Sequence, residues 1–173
     1  YKRQHVYSAI GATQPPTYQN AGHNNNLSFV IGSEAVLVVN GGSNNALAKA
    51  LHAEIKKLTD LPVKYVISEN GQGHAVYGNH YWKLQGATLI GHADAQHEID
   101  EKGFGGLSRM REYAKEFAED TDLINFDITF DEQYRVDLGN LPVIAKIYGS
   151  AHSPGDVSVL VPTEKVVLAG DMA

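Results

Sequence analysis

The sequence predicts an α/β fold, and three observations predict it. Two apolar, β-branched runs, residues 35–39 and 63–67, flank a segment with helical periodicity, which is a strand–helix–strand order. After Asp120 the pattern changes to short strands separated by turns: 128–130, 134–138, 143–148, 157–161 and 166–169. Polar clusters stand where several of these strands end, the usual place for chemistry in layered α/β folds.

Each element has its own reason. Residues 6–10 are a short apolar piece; Pro15-Pro16 and the Asn24-Asn25-Asn26 run then make a loop. Leu27, Phe29 and Ile31 alternate, which predicts a half-buried strand. Gly32-Ser33-Glu34 reads as a hairpin turn into the buried strand 35–39. Ser43 or Asn45 is placed to cap a helix over 46–58, with Leu47, Leu51, Ile55 and Leu58 as its apolar stripe and His52 off it, solvated. Strand 63–67 follows, and the crossover implies parallel pairing. A short helix is expected over 75–84, a strand over 87–90 and a helical piece over 94–101. Gly103 to Gly106 reads as a flexible break. A second amphipathic helix then carries Leu107, Met110, Tyr113, Ala114 and Phe117. Tyr81 and Trp82 are read as core.

Composition narrows the function. The 173 residues suffice for one domain with its own core, and 1–173 is read as a single domain. A net charge of −6 without a basic run argues against nucleic acid, and no apolar stretch is long enough to span a membrane. There is no cysteine, which excludes disulfides, thiolate nucleophiles and cysteine–zinc sites. A serine-hydrolase elbow is absent. The start at Tyr1 and the stop just after a strand suggest a piece of a longer protein; the Tyr1 start and the absence of cysteine make a periplasmic or secreted location an expectation, with a cytoplasmic one as the alternative.

Three clusters can carry chemistry. The first is Asn70-Gly-Gln-Gly-His74, whose alternate side chains can converge from an extended loop while the glycines allow close backbone approach. The second is Ala151-His152-Ser-Pro-Gly-Asp156, and the third is Gly170-Asp171. Imidazole and carboxylate are good zinc ligands. His23, ahead of the asparagine run, is placed at a pocket mouth or in a turn. His80 is read as a packed or surface residue, and the spacing of His92 and His97 does not place them on one helical face.

These residues resemble the metallo-β-lactamase superfamily. That family carries Thr-His-x-His-x-Asp-His followed by Gly-Asn, then Gly-x-x-His-(Ser/Thr)-x-Gly-Asp, then a strand ending in Gly-Asp. The matching pieces are Val66-Ile-Ser-Glu-Asn-Gly-Gln-Gly-His-Ala75 with Gly78-Asn79, Gly149-Ser-Ala-His152-Ser-Pro-Gly-Asp156, and Gly170-Asp171. Registered on Gly78-Asn79, Asn70 and Gln72 fall on the first two histidine positions, His74 on the aspartate and Ala75 on the last histidine. Asn40 sits where the family usually has Asp, and the family's final histidine ligand has no counterpart within 173 residues. The resemblance implies an αββα sandwich, incomplete at its C-terminal end. It also implies zinc-dependent hydrolysis of a small-molecule substrate, with zinc lowering the pKa of bound water toward about 7 to supply hydroxide. His74, His152 and Asp171 are then the metal ligands, and Asn70, Gln72 and His23 are pocket residues. The amides at 70 and 72 are weak zinc donors beside imidazole. The alternative is therefore a non-catalytic homologue with a degenerate metal site, binding a ligand or partner. An unpartnered sheet edge also makes self-association an expectation.

Overall fold

The valine- and isoleucine-rich runs become strands covered on both sides. In the computed structural model, which describes residues 2–3 and 5–172, the first sheet is ordered β1 (Lys2–Arg3), β2 (Val6–Ala9), β3 (Leu27–Ile31), β4 (Val36–Val39), β5 (Val63–Ile67), β6 (Thr88–His92) and β7 (Ile128–Phe130). β1 to β4 pair antiparallel and β4 to β7 pair parallel. The second sheet is fully antiparallel, in the order β11 (Val166–Leu168), β10 (Val157–Val161), β9 (Pro142–Ile147) and β8 (Gln133–Asp137).

The period-two alternation divides strands β3 to β6 of the first sheet between two cores. Val30, Leu37, Val39, Ile67 and Ile90 meet Val143, Ala145, Val157 and Val159 of the second sheet. Leu27, Phe29, Val36, Val38, Val66 and Leu89 face α1 (Asn45–Lys56) and α3 (Asn79–Leu84), through Ala48, Leu51, Ile55 and Trp82. A third cluster joins α2 (Gly73–Val76) to α4 (Ala93–Ala114) through Ala75, Val76, Ile99, Leu107 and Met110. Each fully buried Val, Leu, Ile, Phe or Met among these contributes about 1.5–3 kcal/mol of burial. The described residues thus supply a helix layer and two sheets, three of the four layers that the resemblance implies.

Several sequence expectations change. β3 is buried on both faces rather than half-buried, because helices cover one side and the second sheet the other. The cap of α1 is Asn44, lying between the two expected capping residues, with its Oδ1 accepting from Leu47 N at 2.9 Å. His52 is buried: its Nδ1 lies 2.8 Å from the Tyr81 hydroxyl and its ring packs on Trp82, while Leu58 at the end of the expected stripe is exposed. The expected helix over 75–84 is two short helices, α2 and α3.

The glycines at 103–106 do not break the helix. α4 runs unbroken because tertiary contact offsets their poor propensity. A Cβ at Gly103 would lie 2.7 Å from Leu123, and one at Gly106 would lie 2.1 Å from the Tyr77 hydroxyl. The bare helix surface is the seat of Tyr77, whose hydroxyl donates to the Gly103 carbonyl at 2.9 Å.

Candidate metal centre

The Gly78-Asn79 pair fixes the loop that precedes it. A Cβ at Gly78 would stand 2.0 Å from the Gly41 carbonyl, so only glycine lets this turn dock on the end of β4. Gly78 N donates to Gly42 O and Gly41 N to Ala75 O, each at 2.7 Å. Asn79 Nδ2 donates to Ser68 Oγ at 3.2 Å. Asn40 ends β4 in the left-handed region (φ 67), which asparagine tolerates, and its Oδ1 accepts from Glu69 N at 3.0 Å.

This docking brings three side chains to one point. Single donor atoms of Glu69, His74 and Asp171 all lie within 4.8 Å of one another. His74 Nε2 is 3.2 Å from Glu69 Oε1 and 3.6 Å from Asp171 Oδ2. Glu69 is almost enclosed and Asp171 lies nearer the surface. Gly170 makes the approach possible: its φ is +63, and a Cβ there would lie 2.1 Å from Glu69 Oε2. Burial alone would lower the His74 pKa. The Glu69 hydrogen bond and the charges of Glu69, Asp171 and Glu98 outweigh it and raise the pKa above the ordinary imidazole value.

Asn70 and Asp156 hold the cluster from behind. The Asn70 amide nitrogen donates to Asp171 Oδ2 at 3.0 Å and to Asp156 Oδ1 at 3.3 Å, and its carbonyl oxygen accepts from Gln72 N at 3.0 Å. Its oxygen is therefore committed to the backbone, and Asn70 acts as a brace. Asp156 Oδ2 also accepts from Ala151 N at 3.3 Å and from His152 N and Ser153 N, each at 2.6 Å, and its Oδ1 accepts from Ser153 Oγ at 2.7 Å. Burial would raise this carboxyl, but these donors hold it below the usual carboxylate range.

His74 and Asp171, both expected from the sequence, stand together. His152 is exposed and shares with Asn24, Asn25, Gln72, His74 and Asp171 the lining of an opening of about 390 Å³. Gln72 lies at that opening; Asn70 is fully buried. His23 is half-buried with its Nε2 enclosed and unpartnered, and burial lowers its pKa. Glu69 was not foreseen. Its one signal was a carboxylate two residues beyond a buried strand, at the threonine position of the family pattern.

Two cavities flank the opening. One of about 310 Å³ lies between α4 and residues 71–74, and its lining includes Tyr77, Glu98, Lys102, Arg109 and Tyr113. Burial pushes the Tyr77 phenol up to about 12, against the opposing pull of Arg109. The other, of about 490 Å³, is lined by Thr13, Asn24, Asn25, Asn26, Ser28 and Asn40 among others, and reaches Glu69 and Asp171.

A divalent ion, the group this architecture implies, fits the donor set. Two carboxylates and an imidazole converge with a buried brace behind them and open space before them, which suits zinc or a harder divalent metal.

No family model matches the sequence. Among solved structures, the metallo-β-lactamase from Pontibacter korlensis matches with a TM-score of 0.71 at 14% identity, over 96% of this chain and 67% of that one. The FEZ-1 metallo-β-lactamase from Legionella gormanii matches with a TM-score of 0.64 at 17% identity, over 91% of this chain and 55% of that one. A metallo-β-lactamase from Erythrobacter litoralis matches with a TM-score of 0.59 at 11% identity, over 80% and 55%. The chain therefore spans between about half and two thirds of the length of these structures. At such identities the likeness is one of architecture: this chain has the metallo-β-lactamase fold.

Proposed function

We propose that the protein is a metal-dependent hydrolase of a small-molecule substrate, its ion held by Glu69, His74 and Asp171. The convergence of these three donors within 4.8 Å at the strand ends carries the reading. A bound divalent ion would supply Lewis-acid polarisation of a carbonyl or phosphoryl oxygen. The chain's own residues do the rest. Asn70 fixes the orientation of Asp171, and the Asn40 side-chain Oδ1 and the Val157 backbone N–H fix the Glu69 backbone. Gln72, Asn24 and Asn25 offer amide donors and acceptors at the opening. His152, exposed at the same opening, is placed to accept or return a proton.

The test is metal content after chelation and zinc readdition, with hydrolysis of ester, lactam and thioester substrates measured in parallel. Stoichiometric uptake that Glu69→Gln abolishes, together with turnover of one of these classes, is the expected result. Absence of uptake and turnover sinks the reading.

One observation favours a second reading, a binding module without catalysis. The residue at the first histidine position of the family pattern, Asn70, is consumed in bracing two aspartates. That reading expects no zinc uptake by the wild-type chain and ligand binding that chelators leave unchanged.

A further inference from the structure

Cationic side chains are distributed unevenly around the candidate centre. The cavity of about 490 Å³ is lined by amides, hydroxyls, the two carboxylates and apolar groups, with no lysine or arginine among its described lining residues. The cavity of about 310 Å³ on the α4 side carries Lys102 and Arg109. Asn24 borders both cavities and the opening between them, so the three form one groove passing His74.

The two cations differ. Lys102 Nζ lies 3.6 Å from Glu98 Oε1, on the same face of the helix. Arg109 makes no ion pair among the described residues, and its guanidinium folds back over the glycine turn. Its Nη1 and Nη2 stand 3.7 and 3.8 Å from where Cβ atoms at Gly105 and Gly106 would be. Lys102, Arg109 and Glu98 together leave one positive charge on this wall, in a chain of net charge −6. One unbalanced guanidinium suits a planar monoanion, which it can grip with two parallel N–H donors. Glu69 and Asp171 repel the same anion from the centre of the groove, which sets its direction.

We propose that the α4-side cavity is a carboxylate-binding site, with Arg109 as the ion partner, and that it receives the carboxylate arm of the substrate while a neutral polar arm lies in the asparagine-lined cavity. As a carboxylate site this stands alone; as a substrate subsite it rests on the hydrolase reading.

The probe is butyrate, titrated into metal-free protein and followed by the Arg109 Nε–H resonance, with butyramide as the neutral isostere and inorganic phosphate as competitor. Butyrate is expected to bind about tenfold more tightly than butyramide, and Arg109→Met to lose about that factor, the scale of one charge-assisted hydrogen bond. Glu98→Gln, which frees Lys102, is expected to tighten butyrate binding severalfold. Equal binding of butyrate and butyramide, an unchanged Arg109→Met, looser binding in Glu98→Gln, or a preference for phosphate overturns the carboxylate site. Loss of zinc uptake with butyrate binding intact overturns the hydrolase reading and leaves this site standing.

Discussion

Asn70 holds Asp171 and Asp156 with the two hydrogens of a single amide nitrogen, at 3.0 and 3.3 Å. One carboxylate belongs to the candidate centre and the other to the turn that carries His152. Replacing Asn70 with Leu leaves both carboxylates short of a donor, the fully buried Asp156 and the partly exposed Asp171. The expected cost is about 1–3 kcal/mol, read as a lower urea midpoint with unchanged slope. A midpoint equal to that of the wild type would show that the brace is dispensable.

Metal affinity should follow the convergent carboxylates. Glu69→Gln keeps shape and loses charge and ligand basicity, and is expected to weaken zinc binding beyond the roughly 10–100-fold typical of losing a partner behind a ligand, so that stoichiometric uptake is lost. Zinc titration by calorimetry against a competing chelator measures this. His152→Ala, which alters a residue at the opening, is expected to move zinc affinity far less than Glu69→Gln does.

Acid should loosen the turn around Asp156. Its folded pKa is depressed, so its contribution to stability is present above the unfolded carboxylate pKa and is lost as pH falls through the lower folded value. The window therefore opens at roughly pH 4 and extends downward. In Asp156→Asn, stability at neutral pH is expected to fall and the acid-side slope to flatten. Denaturation midpoints measured from neutral pH into that window test both; a slope identical to the wild type rejects the assignment.

The two neighbouring glycines of α4 should respond with opposite sign. Gly106→Ala drives a methyl into the Tyr77 hydroxyl and breaks its bond to the Gly103 carbonyl, at an expected cost of about 1–3 kcal/mol. Gly105→Ala meets only the flexible Arg109 end at 3.7 Å and is expected to stabilise the helix by about 0.5–1 kcal/mol. Paired thermal melts decide it, and matching signs would contradict the packing described for Tyr77.

The order of strands and helices was legible because burial writes period-two and period-3.6 patterns directly into the chain. Leu27, Phe29, Leu51 and Ile55 stand as those patterns require. What escaped was set by contacts distant in sequence. Gly103 and Gly106 look like breakers until Leu123 and Tyr77 are placed against them. His52 looks solvated until Tyr81 and Trp82 arrive from α3. His74 and Asp171 were visible as strand-end residues in a family pattern, whereas Glu69 was not, because its role depends on Gly170 letting two strand ends approach.

The junction at Glu69 and Asn70 has a further consequence. Val157 N donates to Glu69 O at 2.7 Å, and Asn70 grips Asp156 one residue earlier, so the end of β5 in one sheet is stitched to the start of β10 in the other. The candidate centre is therefore a hinge pin of the sandwich. A substitution in the inter-sheet core that slides one sheet past the other would misalign Glu69 and Asp171 without touching either. Metal affinity would then act as a gauge of sheet alignment throughout the molecule.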